Sequence, residues 1–147
     1  MSSQPKVCFF FEKRDFSLAN RTQLKRFIAR IFSRHKRQLA SLNYIFCSDK
    51  RLLEINRQFL QHNFLTDIIT FELSVGGPIE AEIYISIDRV RDNAEELRVS
   101  FKSELHRVMF HGVLHLCGHG DKGEEQEQNM RKMENLYMNQ YFMERFP

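Results

Sequence analysis

Residues 111–121 read His111-Gly112-Val113-Leu114-His115-Leu116-Cys117-Gly118-His119-Gly120-Asp121. His111 and His115 are four apart, the spacing that places two side chains on one helical face a turn apart. Gly118 accepts a left-handed backbone and so ends the helix, while Ser100 is suited to cap its start. Outward from this helix the elements alternate. Upstream, Ile79, Ala81, Ile83 and Ile85 alternate with Glu80, Glu82, Tyr84 and Ser86, a half-exposed strand of period two. A helix over about Ile87–Leu97 joins it to Ser100. Downstream, Gly123–Phe142 forms an acidic-then-basic helix expected to turn Met130, Met133, Leu136, Tyr137 and Tyr141 inward.

The N-terminal half continues the pattern. Val7–Phe11 is wholly apolar and is expected to be a strand covered on both faces. Asn20 opens a helix with Gln23 as capping-box partner. There Leu24, Phe27, Ile28, Ile31 and Phe32 form one apolar stripe. Leu42–Cys47 is a second strand. Ser48 or Asp49 caps a helix through Leu60 that offers Leu52, Leu53, Ile55 and Phe59 for burial. Ile68–Leu73 is a third strand, and Gly76-Gly77-Pro78 a turn. The expected fold is α+β, a single domain over residues 1–147 with a mixed four-stranded sheet and about five helices. The cleft is expected at the helix that carries His111.

Composition narrows the function. At 147 residues, 42% hydrophobic and 28% charged, the chain can bury one core and is not a disordered segment. The longest apolar run, Val7–Phe11, is far too short to span a membrane. There is no secretory leader pattern. Cys8, Cys47 and Cys117 are odd in number and lack C-x-x-C spacing, which fits a reducing cytoplasm rather than a disulfide framework. The net charge is +3, but residues 1–40 carry ten Lys/Arg against two Asp/Glu. A polyanion partner on that side is one reading; a solvated helix face is the other. Phosphate contacts are expected from the basic first helix.

Two imidazoles on one helical face are good ligands for zinc. A third ligand must come from nearby. On an unbroken helix His119 would lie about 12 Å beyond His111, too far for three bonds of about 2 Å. The Gly118 reversal lets either His119 or Asp121 return to the pair, leaving a coordination position open. Gly112 stands where a zinc peptidase of the H-E-x-x-H type carries its general base, which counts against peptide hydrolysis. Gly112 permits either a substrate approach or close helix-to-sheet packing. His106 lies about 140° round the helix from His111 and faces away. His35 and His62 stand alone. Phe59, Phe64 and Tyr84 are candidates for stacking on bases, although most Phe is core.

The stretch resembles the H-G-x-L-H-L-x-G-Y-D-H signature of the YbeY-type rRNA maturation endoribonucleases, through His111, Gly112, Leu114, His115, Leu116 and Gly118. Asn56 and Thr66-Asp67-Ile68-Ile69-Thr70-Phe71 are similar to that family's N…T-D-V-L-S-F segment. Ile83-Tyr84-Ile85-Ser86 is similar to its G-D-I-x-I-S strand, and Met133-Glu134 to the M-E after the signature. By position the family's third histidine falls on Asp121, an exchange that resembles a Bacteroidetes-like variant. The resemblance therefore implies His111, His115 and Asp121 as metal ligands, with His119 as the alternative third. His111 and His115 are also the catalytic pair. The family's arginine before the T-D segment is Leu60 here, and Arg57, one turn earlier, is its candidate replacement. With Thr66 and Asp67, Arg57 completes the expected substrate contacts.

The resemblance further implies an activity: a zinc-dependent endonuclease, with one Zn2+ per chain, selective for single-stranded RNA. It would act in the cytoplasm on rRNA at the 3′ end of the small ribosomal subunit, and in ribosome quality control. Two other readings stand beside it. One is a ribosome assembly or RNA-binding factor with a structural metal. The other is a zinc peptidase. The sequence leaves the oligomeric state and the general base open.

Overall fold

Short apolar runs bounded by turn residues make the strands, and amphipathic segments with capped ends make the helices. The computed structural model describes residues 6–62 and 65–143. In chain order the elements are β1 (Lys6–Phe11), α1 (Arg21–Arg34), β2 (Leu39–Cys47), α2 (Asp49–Leu60), β3 (Ile68–Glu72), β4 (Ile79–Ser86), α3 (Ile87–Leu97), α4 (Phe101–Leu116) and α5 (Gly123–Met143). The sheet order is β1-β2-β4-β3. The β1–β2 and β2–β4 pairs are parallel, and β3–β4 is an antiparallel hairpin. Its turn uses positive φ at Gly76 and Gly77. This is the expected mixed sheet with five helices.

Three helix starts carry serine caps, two of them expected from the sequence and the third, Ser86, seen in the structure. Ser48, Ser86 and Ser100 accept hydrogen bonds from the backbone N–H of Arg51, Arg89 and Ser103, satisfying a donor that the first helical turn leaves unpaired. Asn20 differs. It sits in the left-handed region at φ 56°, and its side chain makes no capping hydrogen bond. The expected capping box with Gln23 is therefore absent.

One sheet face meets α1, α4 and α5 through a core that includes Phe27, Ile31, Tyr44, Phe46, Ile83, Phe110 and Val113. A smaller cluster of Cys47, Leu52, Ile55 and Ile69 lies under α2. Covering is unequal elsewhere. β1 is an edge strand, and Phe10 is 50% exposed, so the expectation of a strand covered on both faces fails. An all-apolar run cannot report whether a second layer exists. Phe59 is 62% and Leu136 45% exposed, against the burial expected of both. Leu136 lies off the buried stripe of α5, whereas Phe59 is in phase with Leu52 and Ile55 but stands in the last turn of α2, where neighbouring elements decide burial.

Gly112 has a structural reason. A Cβ there would stand 2.8 Å from Ile83 Cδ1 and 3.0 Å from Ile68 Cδ1. The glycine lets α4 lie close on β3 and β4, the helix-to-sheet alternative of the sequence reading. That contact fixes how far His111 stands from the sheet.

Candidate metal centre and cleft

Helix α4 presents one face to a cavity of about 600 Å³. Glu104, Arg107, Val108, His111 and His115 all line it. Counted from Glu104, they follow as i+3, i+4, i+7 and i+11, one helical stripe. Thr66, Asp67 and Ile68, leading into β3, form the facing wall, together with Asn56, Leu60 and His62. Asp121 and Lys122 come from the turn before α5, and Arg131 and Glu134 from α5 itself.

The turn is built as the glycine predicts. Gly118 has φ 103°. Its N–H donates to His115 O at 3.0 Å, and the His119 N–H donates to Leu114 O at 3.0 Å. These are the two bonds of a Schellman stop. The reversal brings Asp121 back to α4, with Oδ2 3.4 Å from His111 Nε2. It sends His119 elsewhere. His119 Nε2 lies 2.9 Å from His35 Nε2, and the rings meet edge to face with centroids 5.0 Å apart. His35 Nδ1 donates to Ile31 O at 2.9 Å, so its Nε2 is left to accept from His119. Burial and the His35 ring together hold His119 below the usual histidine pKa. His119 does not line the cavity, and the structure places it away from His111. His35, expected to stand alone, is its partner.

Glu134 is the residue whose role the sequence reading missed. Its side chain is buried on α5. Oε2 accepts from His111 Nδ1 at 2.8 Å, and Oε1 accepts from Arg107 at 3.0 Å. Burial alone would raise its pKa, but these donors outweigh burial and hold it below the ordinary glutamate range. The same bond raises His111 against the opposing effect of its own burial, with Asp121 and Asp67 adding to the rise. With Nδ1 committed to Glu134, Nε2 is the nitrogen that faces Asp121 and the cavity. The signal in the sequence is Met133-Glu134, the match to the family's M-E.

The donor set suits zinc. It has two imidazoles, a facing carboxylate, and a second carboxylate orienting one ring from behind. Two carboxylates around His111 make a place that attracts positive charge, whether proton or metal. Among the described residues, no three His, Cys, Asp or Glu side chains already surround one point. His115 and Asp121 are exposed, so they can turn toward a metal without disturbing the core.

Other expected residues divide. Thr66 and Asp67 line the cavity, and Thr66 Oγ1 donates to Ile68 O at 3.4 Å. Asp67 Oδ2 accepts from Asn93 Nδ2 at 3.3 Å. Arg57 is exposed on α2 and is not part of the cavity wall, whereas Leu60 is. A one-turn shift along α2 does not carry Arg57 to the place of Leu60. The cations on the wall are Arg107, Lys122 and Arg131. Phe59 and Tyr84 also lie outside the wall and pack edge to face against Phe71; Phe64 lies outside the described residues. His106 faces away as expected, buried against Tyr141 and Phe142.

Relatives and a family model place the chain among the RNA-cutting hydrolases. A 46% identical protein of Cytophaga hutchinsonii, named Endoribonuclease YbeY, aligns with 88% of this chain and 91% of its own length. A Flavobacterium psychrophilum protein of the same name is 46% identical over 82% of this chain and 86% of its own. The solution structure of TM1509 from Thermotoga maritima superposes with a TM-score of 0.64 at 25% identity, covering 95% of this chain and 90% of that one. The profile of the family described as Endoribonuclease YbeY matches residues 10–142, and the chain belongs to that family. No helix among the described residues is long and apolar enough to cross a membrane.

Proposed function

We propose that this protein is a cytoplasmic, zinc-dependent endoribonuclease selective for single-stranded RNA, holding one Zn2+ per chain. Its proposed substrate is rRNA of the small ribosomal subunit at the 3′ end, in maturation and ribosome quality control. The observation that carries the reading is the His111 ring, fixed by Glu134 at 2.8 Å and facing Asp121 at 3.4 Å across an open cavity.

His111, His115 and Asp121 would hold the metal. Bound zinc supplies a Lewis acid and lowers the pKa of water towards about 7. The chain's own groups do the rest. Glu134 keeps His111 in one orientation. Arg107, Lys122 and Arg131 offer positive charge to backbone phosphates. The cleft is open on one side and lined by polar groups from both walls, which suits an unpaired strand threaded along α4.

Helix α1 contributes less than its sequence suggests. Arg21 lies over the Phe11 ring, Lys25 over Phe9, and Arg34 donates to Gln140. Part of the basic face thus covers aromatic surface and braces α5. Binding should still weaken with salt, by a slope of about −0.7 per neutralised phosphate on a single strand.

The test is cleavage of matched single-stranded and duplex RNA, with and without zinc, at two salt concentrations. The wild-type protein should cut the single strand, and His115→Ala should fold normally and not cut. Wild-type rates from metal-free His115→Ala protein would reject the reading. Undiminished RNA binding without turnover would favour an assembly factor with a structural metal.

A further inference from the structure

The cavity wall holds four carboxylates, Asp67, Glu104, Asp121 and Glu134, and three of them are already committed. Glu134 is saturated by His111 and Arg107, with Arg131 at 3.8 Å. Asp121 faces His111 Nε2 and belongs to the donor set. Glu104 is only 5% exposed; its Oε1 is buried with no hydrogen-bond partner and is ion-paired with Arg107 Nε at 4.0 Å. Asp67 alone among these four has neither a cation salt-bridged to it nor full burial.

Its placement is also the most constrained. Asp67 begins the approach to β3. Its carbonyl accepts from Ser86 N–H at 2.9 Å, which ties it to the end of β4. Asn93 on α3 donates to Oδ2 at 3.3 Å, and nearby backbone N–H groups of Asp67 and Ile68 steady the carboxylate. Two elements outside the metal ligands therefore hold it on the wall opposite His111.

We propose that Asp67 is the general base of this cleft, the carboxylate that takes the proton from the oxygen attacking phosphorus. The step balances. The attacking O–H loses its proton to Asp67 as the new P–O bond forms. The bridging P–O bond breaks, and the leaving oxygen takes a proton from solvent. Asp67 returns its own proton to solvent after release.

The surroundings make Asp67 a stronger base than a free aspartate. Burial raises its pKa, and the charge of Glu134 on α5 adds to the rise; His111 on α4 and the backbone N–H groups oppose it. Glu104, also on α4, is raised first by its own burial and then by Asp67, and Arg107 and Arg131 oppose the rise. Asn93 on α3 is uncharged. A base whose pKa lies above that of a free aspartate accepts a proton more readily during attack.

This inference rests on the endoribonuclease reading, and the experiment separates the two. The zinc-loaded wild-type protein, Asp67→Asn, Asp67→Ala and Asn93→Ala are assayed on the same single-stranded RNA, with His115→Ala alongside. Asp67→Asn should lower kcat by about a hundredfold or more, with zinc content and RNA binding within about threefold of wild type. Formate, a small carboxylate that fits the vacated space, should restore part of the lost kcat to Asp67→Ala and none to His115→Ala. Asn93→Ala should lower kcat by a smaller factor and keep the fold. Near-wild-type kcat in Asp67→Asn would overturn the role, as would a loss in Asp67→Ala that formate leaves unrelieved. A wild-type protein that binds the RNA and never cuts it would instead sink the endoribonuclease reading, and this inference with it.

Discussion

His111 and His119 are eight residues apart, in a stretch where histidine recurs every fourth position, yet the molecule treats them in opposite ways. His111 lies on the cleft side of α4 with Glu134 against its Nδ1, and the carboxylate raises its pKa. His119 lies beyond the Gly118 turn against His35, and burial beside a second imidazole lowers its pKa. One neighbourhood collects positive charge and the other repels it. The lesson is that histidine spacing proposes ligands, but the group behind each ring decides which one a cation would prefer.

The largest expected break in this contrast comes from Glu134→Gln. It removes the charge behind His111 and frees the ring to rotate. Zinc affinity should fall about 10- to 100-fold, read by competition with a chelator, while the His35–His119 contact persists. Unchanged affinity would mean that Glu134 only braces Arg107.

Gly112→Ala tests whether the seat of α4 sets the cleft side. The added methyl meets Ile83 and Ile68, and overpacking of this kind costs about 1–3 kcal/mol. A denaturant melt should show that loss, with zinc affinity reduced alongside. A fully stable variant would show that the isoleucine side chains move aside freely.

Glu104→Gln addresses a buried carboxylate whose Oε1 has no hydrogen-bond partner and meets Arg107 Nε only at 4.0 Å. Burial raises the Glu104 pKa in the folded state above its unfolded value. The unfolded chain therefore releases this proton more readily. Stability from this group is complete below the unfolded pKa and is lost as pH rises towards the folded one. The glutamine variant should melt a few degrees higher than wild type near pH 8 and should lose less stability between pH 4 and 8. A steeper loss in the variant would contradict the assignment.

The smallest effect belongs to His119→Gln. It removes one hydrogen bond at a partly exposed position, worth about 1 kcal/mol. Thermal stability should drop slightly and zinc affinity should stay within about twofold. A tenfold loss of zinc would return His119 to the donor set and erase the contrast.

Much of the fold was legible. Period-two alternation set β4 to its observed ends, Ile79–Ser86, and serine caps set the starts of α2 and α4. Signals fail where they depend on a missing neighbour. Phe10 is as apolar as Phe9, but among the described residues no helix buries it on the edge strand, and it is half exposed. Asn20 is a good capping residue by type, but a left-handed backbone turns its side chain from the helix end. In the cleft, the i, i+3, i+4, i+7, i+11 stripe from Glu104 to His115 was present in the spacing. Reading only the histidines left Glu104 and Arg107 unnoticed.

The sequence by itself determined the helical face of His111 and His115 and the glycine stop after them, because both follow from local backbone geometry. It also carried the family, whose profile covers residues 10–142. Only the tertiary structure decided that Asp121 returns to His111 and His119 leaves for His35. It alone placed Glu134 behind the ring and Asp67 across from it, and kept Arg57 off the wall. Those outcomes depend on how α1, α5 and the β3 entry pack around α4, and burial and charge at each side chain are set by neighbours far away in the chain.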